Sequence, residues 1–134
     1  MKKEIERFQA QALERTKQTL VERAELINGV RVVKAILGIE PGAAKDLVFK
    51  VREALPENLV CVIGSTAGQK PLLSVMLSDD MVRDRGLNAG QMVREAARLI
   101  QGGGGGQPHF ASAGGKNLDG ISAAVDKVVE MATN

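Results

Sequence analysis

Apolar positions recur along this chain at two spacings, one of three to four residues and one that is nearly continuous. Near the start, Ile5, Phe8, Ala12, Thr16, Leu20, Ala24 and Ile27 follow three- and four-residue steps, which line up on one face of an α-helix. Glu4, Arg7, Glu14, Glu22 and Glu25 fall on the opposite side, while Glu6 and Arg23 intrude on the apolar stripe. The spacing predicts one long amphipathic helix over residues 1–28, about seven turns and longer than a small domain can cover. Part of it is expected to project, to pack on another chain, or to pair two copies as a homodimer. Asn28-Gly29 then supplies a helix stop or a turn.

The pattern changes at Val30. Val30 to Leu37 is rich in β-branched residues and reads as a strand. Pro41-Gly42 breaks the chain, and a helix is expected from about Ala43 to Leu55, with Ala44, Leu47, Val48, Val51 and Leu55 on its buried face. Leu59 to Ile63 is continuously apolar, as in a strand buried on both faces. Gly64 to Lys70 reads as a polar loop, and Leu72 to Leu77 as the next strand. Ser78-Asp79-Asp80 starts a short helical segment that Gly86 closes. Asn88, with Gln91 three residues on, opens a helix to about Gln101 that buries Met92, Val93, Ala96, Leu99 and Ile100. The last helix, about Leu118 to Ala132, carries Ile121, Ala124, Val125 and Val128 on one face.

This order predicts an α/β (mixed α+β) fold, a small mixed sheet covered by helices behind a long N-terminal helix. Residues 29–134 form the globular part, with a glycine-rich loop over 102–115 in which His109 to Ala113 has room for one short strand. Composition narrows the class. Apolar residues make up 44% and charged residues 25% of the 134, with three Phe and no Trp or Tyr, so the core is aliphatic and the chain suits a soluble domain. No apolar run nears the roughly 20 residues of a membrane span, and no membrane partner is expected. The single cysteine, Cys61, excludes an internal disulfide framework and fits a reducing compartment, with a cytoplasmic location as the default. A net charge of +2 supplies no strong basic field, so contact with nucleic acid would require clustering of cations.

The segment with the most chemical content is Gly102, Gly103, Gly104, Gly105, Gly106, Gln107, Pro108, His109, Phe110, Ala111, Ser112, Ala113, Gly114, Gly115 and Lys116. Consecutive glycines are costly to order. The one helix that follows cannot fold alone, so the stretch belongs inside the domain rather than to a linker between domains. Glycines let a ligand approach the backbone and leave N–H groups free for an anion. No Gly-Lys-Ser/Thr follows, as a Walker loop requires, and no strand is expected before the run, as a dinucleotide fingerprint requires.

Read as GGGGGxPxxAxAGG, the segment resembles the signature near the end of alanyl-tRNA synthetases, and the Asn88-x-Gly90-x-x-Val93 helix leading into it is similar too. The resemblance covers essentially the whole chain. It points to the family's C-terminal domain, whose globular part is the DHH-associated domain found also in DHH phosphoesterases. It implies a non-catalytic domain that holds the outer corner of tRNA for catalytic and editing domains elsewhere in the parent. That parent joins alanine to tRNA with ATP and magnesium and edits mischarged tRNA with zinc; no cofactor is expected in this segment. The alternative is the substrate-binding domain of a DHH phosphoesterase, although the Asp-His-His metal motif is absent here. A third reading is a structural module that binds no nucleic acid.

No catalytic residue or metal ligand is expected in the segment. The expected nucleic-acid contacts are the five glycines from Gly102, together with Gln107, His109, Gly114, Gly115 and Lys116. Lys70, Arg83, Arg85, Arg94 and Arg98 form a candidate phosphate patch beside them. Each has a plain alternative: a solvated surface charge for the lysines and arginines, and a loop histidine without a role for His109. In DHH phosphoesterases a Gly-Gly-Gly-His segment ends in Ala-Gly five residues on, and His109 stands five before Gly114, though Gln107-Pro108 separates it from the glycines. Cys61 reads as core, and Asp79-Asp80 as helix capping rather than a metal pair.

Overall fold

The computed structural model describes residues 14–66 and 70–133. Helix α1 (residues 14–22) leads into β1 (Glu25–Ile27) and β2 (Val30–Leu37). Helix α2 (Pro41–Ala54), β3 (Leu59–Ser65), β4 (Leu72–Leu77), α3 (Asp79–Arg85) and α4 (Ala89–Ala97) follow. A 3-10 turn (Arg98–Ile100) leads to β5 (Gly103–Gly106) and β6 (Phe110–Gly114), and a second (Leu118–Gly120) leads to α5 (Ile121–Thr133). One six-stranded sheet has the order β1-β2-β3-β4-β6-β5. The β2–β3 pair is parallel, bridged by α2, and every other neighbour is antiparallel. The α/β class and the mixed sheet under helices are as the sequence predicts.

Alternation along the strands divides the core into two layers. Val30, Val32, Val60, Val62, Leu73 and Val75 face α4 and α5 through Met92, Val93, Ala96, Ala124 and Val128. Val33, Leu59, Cys61, Ile63 and Met76 face Ala44, Leu47, Val48 and Val51 of α2. All seven residues of β3 are buried, as expected for a strand covered on both sides. The strand also runs past Ile63, and Gly64, expected in a loop, lies under α5. A Cβ there would meet Ile121 Cγ1 at 2.8 Å, so glycine lets the helix cross closely. Burial pushes the Cys61 thiol up, far above the ordinary range, which suits a packing role. No helix among the described residues is long and apolar enough to cross a membrane.

Several expected boundaries shift. Positions 1–13 of the expected N-terminal helix, with Ile5, Phe8 and Ala12, lie outside the described residues. Of the rest, α1 stops at residue 22, and Glu25–Ile27 form a strand instead of continuing the helix to 28. The cause is the Asn28-Gly29 turn, with φ of 51° and 81°, left-handed at both positions as a tight hairpin requires. Helix α2 begins at Pro41, where a missing N–H costs nothing, rather than after it. Leu99, expected in the core, is 40% exposed, because the α4 helix has tightened to a 3-10 turn by that point.

Ser78 precedes α3 as expected, but its hydroxyl makes no cap bond. It accepts instead from the Leu59 N–H at 3.0 Å, tying the start of β3 to the end of β4. Asp80 accepts from the Asn58 N–H at 2.9 Å. Burial raises the Asp80 pKa, but the neighbouring Ser78 hydroxyl and the N–H groups of Asn58, Asp80 and Met81 outweigh it and hold the carboxyl below the usual value. Ser78 is fully buried, so Ser78→Ala leaves the Leu59 N–H without its partner. The expected loss is about 1–3 kcal/mol, read by urea denaturation. An unchanged midpoint would mean that water reaches Leu59.

Candidate nucleic-acid interface

The glycine run is an edge strand, and the expected loop over 102–115 is corrected accordingly. Gly103, Gly104, Gly105 and Gly106 pair with Gly114, Ala113, Ser112 and Ala111 of β6. Glycine is a poor strand former, and close approach explains its presence. A Cβ on Gly102 would overlap the Gly114 carbonyl oxygen; one on Gly104 would lie 2.5 Å from Ala113 Cα, and one on Gly106 2.7 Å from the Phe110 oxygen. The even-numbered glycines therefore exist for packing against β6. Gly115 and Gly120 do the same against the ends of the α4 segment, where added Cβ atoms would overlap the Ile100 and Leu99 carbonyl oxygens. Gly90, at the start of α4, would bring a Cβ to 3.2 Å from the Gly106 oxygen.

The odd-numbered glycines differ. A Cβ on Gly103 meets nothing within 4 Å, and one on Gly105 meets only the Arg94 guanidinium, at 3.5 Å. By register these two share a sheet face with Ser112 and Gly114, and Gly103 and Gly114 are exposed. Helix α2 meets this face at the other end of β6, where Phe49 and Phe110 stack at 5.2 Å. Beyond that contact, the strip of Gly103, Gly105, Ser112 and Gly114 offers backbone, one hydroxyl and the Arg94 guanidinium to a ligand. Ser112 and Gly90 were not singled out as contacts from sequence; Ser112 becomes visible only through its register with Gly105.

The remaining candidates do not form one patch. Lys70 and Lys116 lie where β4 begins and β6 ends, joined by the Gly115 N–H to the Pro71 carbonyl (3.0 Å) and the Lys116 N–H to the Ile100 carbonyl (2.8 Å). Arg98, in the turn after α4, is at that same end. His109 lies at the opposite end, where its carbonyl accepts from Leu77 N–H at 2.8 Å, and Gln107 bonds back to Phe110 there. Arg83 and Arg85 follow β4 at this second end. Arg83 pairs with Asp84 at 3.1 Å, while Arg85 donates to the Asn28 carbonyl at 3.3 Å. Six residues of β4 separate the two groups by about 20 Å. Arg94 stands between them, beside Gly105. Among the described residues, no group of three His, Cys, Asp or Glu side chains is placed to hold a metal ion.

Known proteins share the sequence and the fold of this chain. The model of the DHHA1 domain family matches residues 29–134. An alanine–tRNA ligase of Bacteroides fragilis is 48% identical over 132 residues, 98% of this chain, and the chain spans 15% of that relative's length. The C-Ala domain of Aquifex aeolicus alanyl-tRNA synthetase superposes with a TM-score of 0.73 at 26% identity, covering 84% of this chain and 99% of that one. A DHH-domain protein described as a member of a ribosomal-protein family superposes at 0.65 with 11% identity, covering 90% of this chain and 31% of that one, a likeness of fold alone.

The two classes of glycine are expected to separate in a thermal melt. Gly104→Ala forces β5 away from the β6 backbone and should cost about 1–3 kcal/mol. Gly103→Ala enters open space and should be neutral, or stabilise by about 0.4–1 kcal/mol through a stiffer unfolded chain. Equal melting temperatures for the two variants would show that the strand relaxes freely.

Proposed function

The chain belongs to the DHHA1 domain family, and from that premise we propose that it is the tRNA-binding C-terminal domain of an alanine–tRNA ligase. Identity of 48% across nearly all of its length to one such ligase carries the reading. The parent would join alanine to tRNA and remove mischarged products in other domains, where ATP, magnesium and zinc would act. This chain would keep one tRNA, through its outer corner, near both. The N-terminal segment that runs through α1 is the part we assign to docking on the parent or to pairing of two copies.

The chemistry of the β5–β6 strip suits this role. Glycine backbone, Ser112 and Arg94 together can meet ribose hydroxyls and phosphate. Among the described residues, no aromatic side chain stands on the strip itself for a base to stack on, and Phe110 at its end is in contact with Phe49. Such contacts position RNA without reading its sequence. Because the cations are dispersed, few phosphates can be neutralised at once.

Binding of the full chain to tRNA is therefore expected to be weak, with a slope of about −2 to −4 in log K against log salt. Titration by fluorescence anisotropy at several salt concentrations, beside a single-stranded DNA of equal length, gives that slope. Gly103→Val and Arg94→Ala should each weaken tRNA binding while leaving the melting temperature in place. An affinity independent of salt, or no affinity for tRNA at all, would refute the reading.

A further inference from the structure

The face of the molecule farthest from β5 holds a second feature. β1 reaches only as far as Glu25, opposite Val32, so β2 from Val33 to Leu37 has no strand on that side among the described residues. The Arg31 N–H donates towards β3, to the Asn58 carbonyl, and the Leu37 carbonyl accepts there from Thr66 N–H. Backbone alternation then turns the N–H and C=O groups of Lys34 and Ile36 the other way, to the open edge.

A cleft of about 470 Å³ runs between this edge and α1. It is lined by consecutive residues of β2, Val32 to Ala35, and then Leu37, as a cleft along a strand edge must be, since one face would supply only alternate residues. Leu20 of α1, with Ala35 and Leu37, gives it an apolar floor continuous with the core under α2. Arg15 and Arg23 stand on the helix side, and neither is ion-paired among the described residues, whereas Glu14 takes both Lys17 and Lys50. Glu25 is the one carboxylate among the described residues of the lining.

We propose that this cleft is a docking site for an extended acidic peptide, which adds to β2 as a further strand. Its main chain pairs with Lys34 and Ile36 beyond the end of β1. The side chains on the α1 face of the added strand do both jobs: a central apolar one enters the floor, and acidic ones two residues to either side meet Arg15 and Arg23. A groove between a helix and a free strand edge is the arrangement that strand addition uses, with affinity from main-chain bonds and specificity from the side chains lining it. Five residues of edge, about 17 Å, take a peptide of four or five residues. The charge balance selects the acidic partner. The proposal does not rest on tRNA binding, since β1 and β2 lie at the opposite edge of the sheet from β5.

The test uses the full chain and two labelled pentapeptides, Asp-Thr-Val-Thr-Asp and Lys-Thr-Val-Thr-Lys, in anisotropy titrations with amide resonances followed in parallel. The acidic peptide is expected to bind at least about tenfold more tightly and to protect the Lys34 and Ile36 amides from exchange. The double variant Arg15→Glu, Arg23→Glu, at two exposed positions, should reverse the preference and leave tRNA affinity unchanged. Equal affinity for the two peptides would overturn the proposal, as would unprotected Lys34 and Ile36 amides. A double variant that loses tRNA binding instead would assign the cleft to RNA. Protection that grows with protein concentration without peptide would assign the edge to a second copy.

Discussion

Leu59 to Ser65 are buried without exception, so neither face of the central strand is open to water, and most of the architecture answers that demand. A parallel crossover places α2 on one face, and the chain must then return to cover the other. It does so with α4 and α5, whose apolar stripes carry Met92, Val93, Ala96, Ala124 and Val128 to β3 and its neighbours. Gly64 marks how tightly the second cover fits, since a single added carbon there would meet Ile121. Close packing of this kind, rather than any polar network, holds the sheet between its helices.

The two edges of the sheet are finished in different ways, and their chemistry follows from that. At one edge β5 consists of glycines, half of them pressed onto β6 and half facing outward. An exposed edge usually invites pairing with another chain. Here it lacks side chains, and the Arg94 guanidinium stands beside it. At the other edge a three-residue β1 covers less than half of β2, and α1 stands off from the remainder, leaving an apolar channel with arginines at its rim.

Charge is arranged locally rather than as a field. Glu14 takes two lysines, Asp79 takes Arg52 and Asp84 takes Arg83. All these groups are at least partly exposed, and each such pair contributes little to stability. Among the described residues, Arg94, Arg98 and Lys116 near the glycine strand take part in no such pair. Alanine–tRNA ligase relatives are far longer than this chain, which spans 15% of the length of one of them.

Where a short-range rule governs an element, the sequence alone determined it. Period-3.6 stripes located α2, α4 and α5, the β-branched runs located β2, β3 and β4, and the glycine signature with its Ala-x-Ala-Gly-Gly ending named the family. Ala24 and Ile27 continue a helical spacing in the sequence, but Asn28-Gly29 imposes a hairpin that pulls Glu25–Ile27 into the sheet. The glycine run read as a loop because glycine has low intrinsic strand propensity; only its contact with β6, distant in energy from any local preference, makes it a strand. Tertiary structure alone also decided that Lys70 and Lys116 lie about 20 Å from Arg83 and Arg85. Sequence distance says nothing about which end of a strand a loop returns to, and that depends on how β4, β6 and β5 pair across the sheet.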